Sequence, residues 1–125
     1  MNKPDQLWAE RFFRECLSQL NAGSWNFELT FKNVGDDKSL GSTEVNIGRQ
    51  MAYIDVFTKA HDGQADLEDT LAHEALEVAV ADLTEFFSGF FKESQAEYLT
   101  KLLHKVIEPC AAILAKAVHA EVNSD

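Results

Sequence analysis

Leu71-Ala72-His73-Glu74-Ala75-Leu76-Glu77-Val78-Ala79 reads as the middle of one amphipathic helix running from Leu67 to Phe87. Wound at ~3.6 residues per turn, Leu71, Ala72, Ala75, Leu76, Val78, Ala79, Leu83, Phe86 and Phe87 gather on one side. Asp66, Asp69, Thr70, His73, Glu77 and Thr84 gather on the other. His73 and Glu77 are four residues apart, so their side chains leave adjacent turns in the same direction. Glu74 follows His73 at about 100° round the helix. The pattern is HExxE. It differs by one residue from HExxH, in which two histidines hold a zinc ion and the glutamate between them acts on water.

Upstream of this helix the period changes. Leu7, Trp8, Phe12, Cys16, Leu17 and Leu20 recur at helical spacing, which predicts a helix from Pro4 to Asn21 stopped by Gly23. Trp25, Phe27, Leu29 and Phe31 then alternate with polar residues, the mark of a half-buried strand over Trp25 to Lys32. Gly35-Asp36-Asp37-Lys38 has turn chemistry. Thr43, Val45 and Ile47 predict a second strand. Met51 to Thr58 predicts a third, apolar on much of both faces. His61-Asp62-Gly63-Gln64 is a loop, and Asp66 is placed to cap the helix that follows.

Downstream, Ser88-Gly89 ends the central helix. Ser94-Gln95-Ala96-Glu97 has the spacing of a capping box and opens a helix through Glu108, with Ala96, Leu99, Leu102, Leu103, Val106 and Ile107 inward. Pro109 interrupts it. A last helical segment, Ala111 to Val122, turns Ile113, Leu114, Ala117 and Val118 inward. The fold class expected is α+β: an N-terminal helix, a three-stranded and mostly antiparallel sheet, the HExx helix, and C-terminal helices. No repeat or linker divides residues 1–125, so a single domain is expected.

Bulk properties narrow the function classes. At 46% hydrophobic residues the chain is globular. Its 21 acidic against 11 basic residues give a net charge of -10, which opposes binding to nucleic acid and to anionic membranes. Such a charge suits cation binding, but acidic solubility is the commoner explanation. Cys16 and Cys110 lie in apolar helical runs and form no CxxC, so both are expected as buried thiols in a reducing compartment. The N-terminal residues lack a signal-peptide core and no run approaches the ~18 apolar residues of a membrane span. A cytoplasmic location is the expectation.

The order of elements resembles that of the minigluzincins, small zincin-like metallopeptidases found in phages and prophages. The resemblance spans roughly residues 5 to 109. It rests on Tyr53-Ile54-Asp55-Val56, matching an edge strand, and on Asp69-Thr70-Leu71-Ala72-His73-Glu74-Ala75-Leu76, matching the motif helix. Ala96-Glu97-Tyr98-Leu99 and Leu103-His104-Lys105-Val106-Ile107 match the second helix. The resemblance implies a metal-dependent hydrolase of peptide or protein substrates, with His73 as first metal ligand, Glu74 as catalytic base and Glu97 as the glutamate ligand. Glu77 occupies the place of the second histidine.

That substitution changes the chemistry expected. His73, Glu77 and Glu97 would surround the ion with one imidazole and two carboxylates, cancelling its charge and making it a poorer Lewis acid. Such a shell binds Zn²⁺ less well and suits Mn²⁺ or another hard divalent ion better. His104 and Tyr98 are the nearby candidates for steadying an oxyanion. Each ligand also has a plainer reading. Glu97 closes the capping box without a metal. Glu77 and His73 fit a solvated helix face, and His61, His104 and His119 fit surface histidines. A catalytically inactive zincin-like binding or scaffold protein is therefore the alternative function. An acidic module mimicking a polyanion is a third.

Overall fold

Asp5 starts the first helix. In the computed structural model, which describes residues 4–34 and 40–123 without the Phe87 side chain, its carboxylate accepts from the backbone N–H groups of Leu7 and Trp8 at 3.0 and 3.2 Å. Helix α1 runs Gln6–Gln19 and buries Ala9, Phe12, Phe13, Cys16 and Leu17 along one stripe. It is stopped by Asn21 and not by Gly23. Asn21 takes the left-handed conformation (φ 60°), while Ala22 N–H donates to Leu17 O and Asn21 N–H to Ser18 O. This is a Schellman ending with asparagine in the position glycine usually fills.

Three strands follow: β1 (Asn26–Lys32), β2 (Gly41–Asn46) and β3 (Met51–Phe57). The α+β class and the order of elements are as expected. The sheet is mixed, in the order β1-β3-β2: β3 pairs parallel with β1 and antiparallel with β2. A mostly antiparallel sheet is thus met on one ladder only, because alternation reports which face is buried and not which way a neighbour runs. β3 is the central strand, so Tyr53-Ile54-Asp55-Val56 is not an edge. The strand lying at the edge and along the motif helix is β2. Ala52, Ile54 and Val56 of β3 face the helices and are buried, while Tyr53 on the other face is exposed. The turn expected over residues 35–38 lies outside the described residues.

A 3₁₀ turn, Thr58–Ala60, leads to the central helix α2 (Gln64–Ala79). Its N-cap is Gly63, not Asp66. Asp66 sits in the first turn and accepts from Asp62 N–H at 3.1 Å. α2 packs against α1, β2 and α4, so it is covered on more of its circumference than one apolar stripe would give. Glu68, Thr70 and Glu74 are all buried, although Thr70 belongs to the side expected in solvent. The single helix expected over 67–87 is divided at Val80, and α3 runs Ala81–Phe90. No glycine or proline marks the division. Val80 N–H donates to Leu76 O and closes α2, and Thr84 N–H donates to Val80 O and opens α3.

Helix α4 runs Glu93–Val122 straight through Pro109. The proline removes one backbone donor and faces solvent, where the missing bond is least costly. Lys92 is the N-cap, and Gln95 accepts from its backbone N–H at 3.3 Å. The capping box expected from Ser94 and Glu97 is therefore displaced by two residues. Ile107, Ala111, Leu114, Ala115, Val118 and Val122 of α4 are buried, whereas Leu102, Val106 and Ile113 are exposed. Glu68 meets His119, and Glu77 meets His104. Those two pairings fix α2 and α4 as antiparallel neighbours. Cys16 is buried in the core, where burial first and then Glu15 and Glu68 push its thiol up to about 12. Cys110, expected to be buried, is exposed. Among the described residues no helix is long and apolar enough to cross a membrane.

Candidate metal centre

Helical spacing puts His73 and Glu74 on one turn of α2 and Glu77 on the next, and each meets something different. Glu77 lies between two imidazoles. Its Oε1 is 3.4 Å from His73 Nε2 on its own helix and 3.6 Å from His104 Nδ1 on α4. The two rings stack at 6.0 Å between centroids, 24° apart in plane. One ligand atom from each of these residues lies within 4.8 Å of the others. All three side chains keep some solvent contact, from 25% for Glu77 to 45% for His104.

The two separations from Glu77 are compatible with a shared ion. Bonds of ~2.0–2.1 Å in a tetrahedral zinc site place neighbouring donor atoms roughly 3.3–3.4 Å apart. Another histidine–carboxylate pair, with a shorter hydrogen bond, serves for comparison. His119 Nδ1 is 2.7 Å from Glu68 Oε1. The two contacts of Glu77 are wider than that bond and near the tetrahedral edge. The donor set is two imidazoles and one carboxylate, the set found in one family of catalytic zinc sites. With a divalent ion it would carry a net charge of +1, not the cancelled charge expected from one histidine and two glutamates.

Glu97 is not brought to this group. Its exposed carboxylate lines a separate depression with Ser88, Phe91 and Glu93. It lies seven residues before His104, about 10 Å along the helix. The sequence places His104 on the same face two turns on, but nothing in the sequence says which turn of α4 crosses α2. The antiparallel packing of α4 on α2 decides that. Tyr98 is also exposed and away from the cluster, and His61 is not a surface histidine. His61 is buried, with Nδ1 2.9 Å from Phe57 O and Nε2 2.8 Å from Thr70 Oγ1.

Glu74 is the buried acid beside the cluster. β2 covers it: Thr43 Oγ1 donates a short hydrogen bond to its Oε2. At Gly41 an added Cβ would come within 3.2 Å of its Oε1. Burial, and after it the hydrogen bond and charge of Glu77, push the Glu74 carboxyl up to about 8, against the opposing pull of Thr43 and His73. Burial also works against the charge on Glu77. The hydrogen bonds from His73 and Glu74, with the imidazoles of His73 and His104, outweigh it and hold Glu77 below the usual carboxylate range. The hydrogen bond to Glu77 raises the pKa of His73 in spite of its burial. At neutral pH the proton of this pair of acids resides on Glu74 and the charge on Glu77.

The groove holding these groups is walled by β2 and α4 and floored by α2. It brings together His73, Glu77 and His104, a group that could hold a metal ion, with the buried Glu74 carboxyl alongside. Comparisons with protein-family models, with curated proteins and with solved structures find no match for this chain.

Proposed function

We propose that this chain is a small zincin-like metal-dependent hydrolase of peptide bonds, holding its ion with His73, Glu77 and His104 and using Glu74 as general base. The observation that carries the reading is Glu77 flanked by two imidazoles at 3.4 and 3.6 Å, next to a buried glutamate anchored by an edge strand. An ion held there would supply Lewis acidity and lower the pKa of a water toward neutrality. Glu74 takes up a proton at the carboxylate oxygen that Thr43 does not hold and returns it to the leaving amine, a task that favours a pKa near the working pH. Thr43 holds the other oxygen in place. The Coulomb interaction of Glu74 with Glu77 favours keeping that proton until a cation neutralises Glu77.

The test is cleavage of unfolded casein by zinc-loaded protein. The expected result is slow cleavage, reduced at least about a hundredfold in Glu74→Gln, the usual scale of a lost general base. Zinc binding with no Glu74-dependent cleavage would overturn the hydrolase and leave a metal-stabilised binding protein.

A further inference from the structure

The groove continues beyond the cluster in both directions, and its two ends differ in chemistry. Toward the start of α2 it opens into a cavity of ≈ 420 Å³ that His73 and Glu74 also line. Leu40, Gly41, Ala111 and Ala112 form its apolar or small walls, and Asp69 and Glu108 place one carboxylate each on the facing helices. Toward the end of α2 a second cavity of ≈ 240 Å³ is shared by Glu77 and His104. Its remaining lining is more aliphatic, with Val45, Ile47, Val80, Ala81, Leu103 and Ile107 beside Glu85 and three threonines.

We propose that these cavities are side-chain subsites on either side of the cluster, the first for a lysine or arginine side chain and the second for a small aliphatic one. The inference rests on the hydrolase reading for the peptide's presence and adds the class of peptide. A lysine or arginine side chain is apolar along its stem and charged at its tip. The first cavity has that distribution, with Leu40 and the two alanines for the stem and two carboxylates for the tip. Neither Asp69 nor Glu108 forms an ion pair among the described residues. An acidic side chain entering there would meet Asp69, Glu108 and Glu74 together. The second cavity is smaller, and of its two carboxylates Glu77 faces the imidazoles, which leaves Glu85 alone to meet a charged side chain.

Calorimetric titration tests this with the full chain carrying Glu74→Gln, which prevents turnover, with and without zinc. The probes are a capped tetrapeptide Ala-Lys-Val-Ala and its counterpart with norleucine for lysine. The lysine peptide is expected to bind about fivefold to tenfold more tightly, the scale of two partly exposed charge pairs. Asp69→Asn with Glu108→Gln is expected to remove that difference, and so is high salt. Equal affinity for the two peptides, a preference unchanged by the double substitution, or no binding of either would overturn the proposal. Preferential binding with no casein cleavage by the wild type would overturn the hydrolase reading and keep the subsites. Cleavage without the preference would do the reverse.

Discussion

Glu74 and Glu77 are three residues apart on one helix, and their surroundings drive them to opposite protonation states. Glu74 is covered by Gly41 and Thr43, so burial dominates and its carboxyl is pushed up to about 8. Glu77 sits between two imidazoles and stays ionised. Each shift has a consequence for stability in the ion-free protein. The contribution of Glu74 is fully present below the ordinary carboxyl value of 4.5 and is lost as pH rises through about 8. That of His73, whose pKa is raised from 6.5, is likewise lost as pH rises. That of Glu77 is present above 4.5 and lost as pH falls through its lowered folded value. The cluster therefore favours the folded state most at mildly acidic pH. Glu74→Gln keeps a neutral side chain at every pH. It is expected to match wild-type stability near pH 5 and to exceed it by about 2 kcal/mol at pH 9, an order-of-magnitude figure for a partly screened buried acid. Thermal unfolding across that range checks it, and parallel curves for the two proteins would contradict it.

The site depends on two elements as much as on the motif helix. β2 is a short edge strand whose residues at alternate positions, Gly41 and Thr43, both reach Glu74. A Cβ at residue 41 would also meet the backbone oxygen of Asp55 at 3.0 Å and Thr70 Cγ2 at 3.2 Å. Gly41→Ala is thus expected to cost about 1–3 kcal/mol through overpacking, measured by urea denaturation. A cost near zero would mean that β2 lies more loosely on α2 than described. Much of this arrangement was legible in the sequence. The alternation of Trp25 to Phe31 and of Met51 to Phe57 located the strands, and the 3.6-residue stripe of α2 located its buried face. The His73-Glu74-Glu77 grouping followed from helix geometry alone. What the sequence withheld was pairing. Parallel and antiparallel neighbours bury the same alternate residues, so β2 could not be recognised as the edge beside the site. Asn21 in place of glycine at the end of α1, and the division at Val80 without glycine or proline, carried no strong local signal either.

Across the whole molecule, α4 joins the core to the site. Its second half is anchored by Leu114, Val118 and Val122, while its first half is held chiefly against α2 and α3. The long-range partner of the motif is set by this packing, which is why His104 takes the place expected for Glu97. A bound divalent ion would clamp α4 to α2 and stabilise the fold by mass action. The net charge of -10 adds a general attraction for cations, so binding alone is less informative than its dependence on particular residues. The most direct measurement is calorimetric titration of zinc into chelator-stripped protein, wild type beside His73→Ala, His104→Ala and Glu97→Ala. One ion per chain is expected for the wild type and for Glu97→Ala, with affinity reduced at least about tenfold in each histidine variant. Absence of binding to the wild type, or binding that survives the loss of His73 and His104, would contradict a centre built from His73, Glu77 and His104.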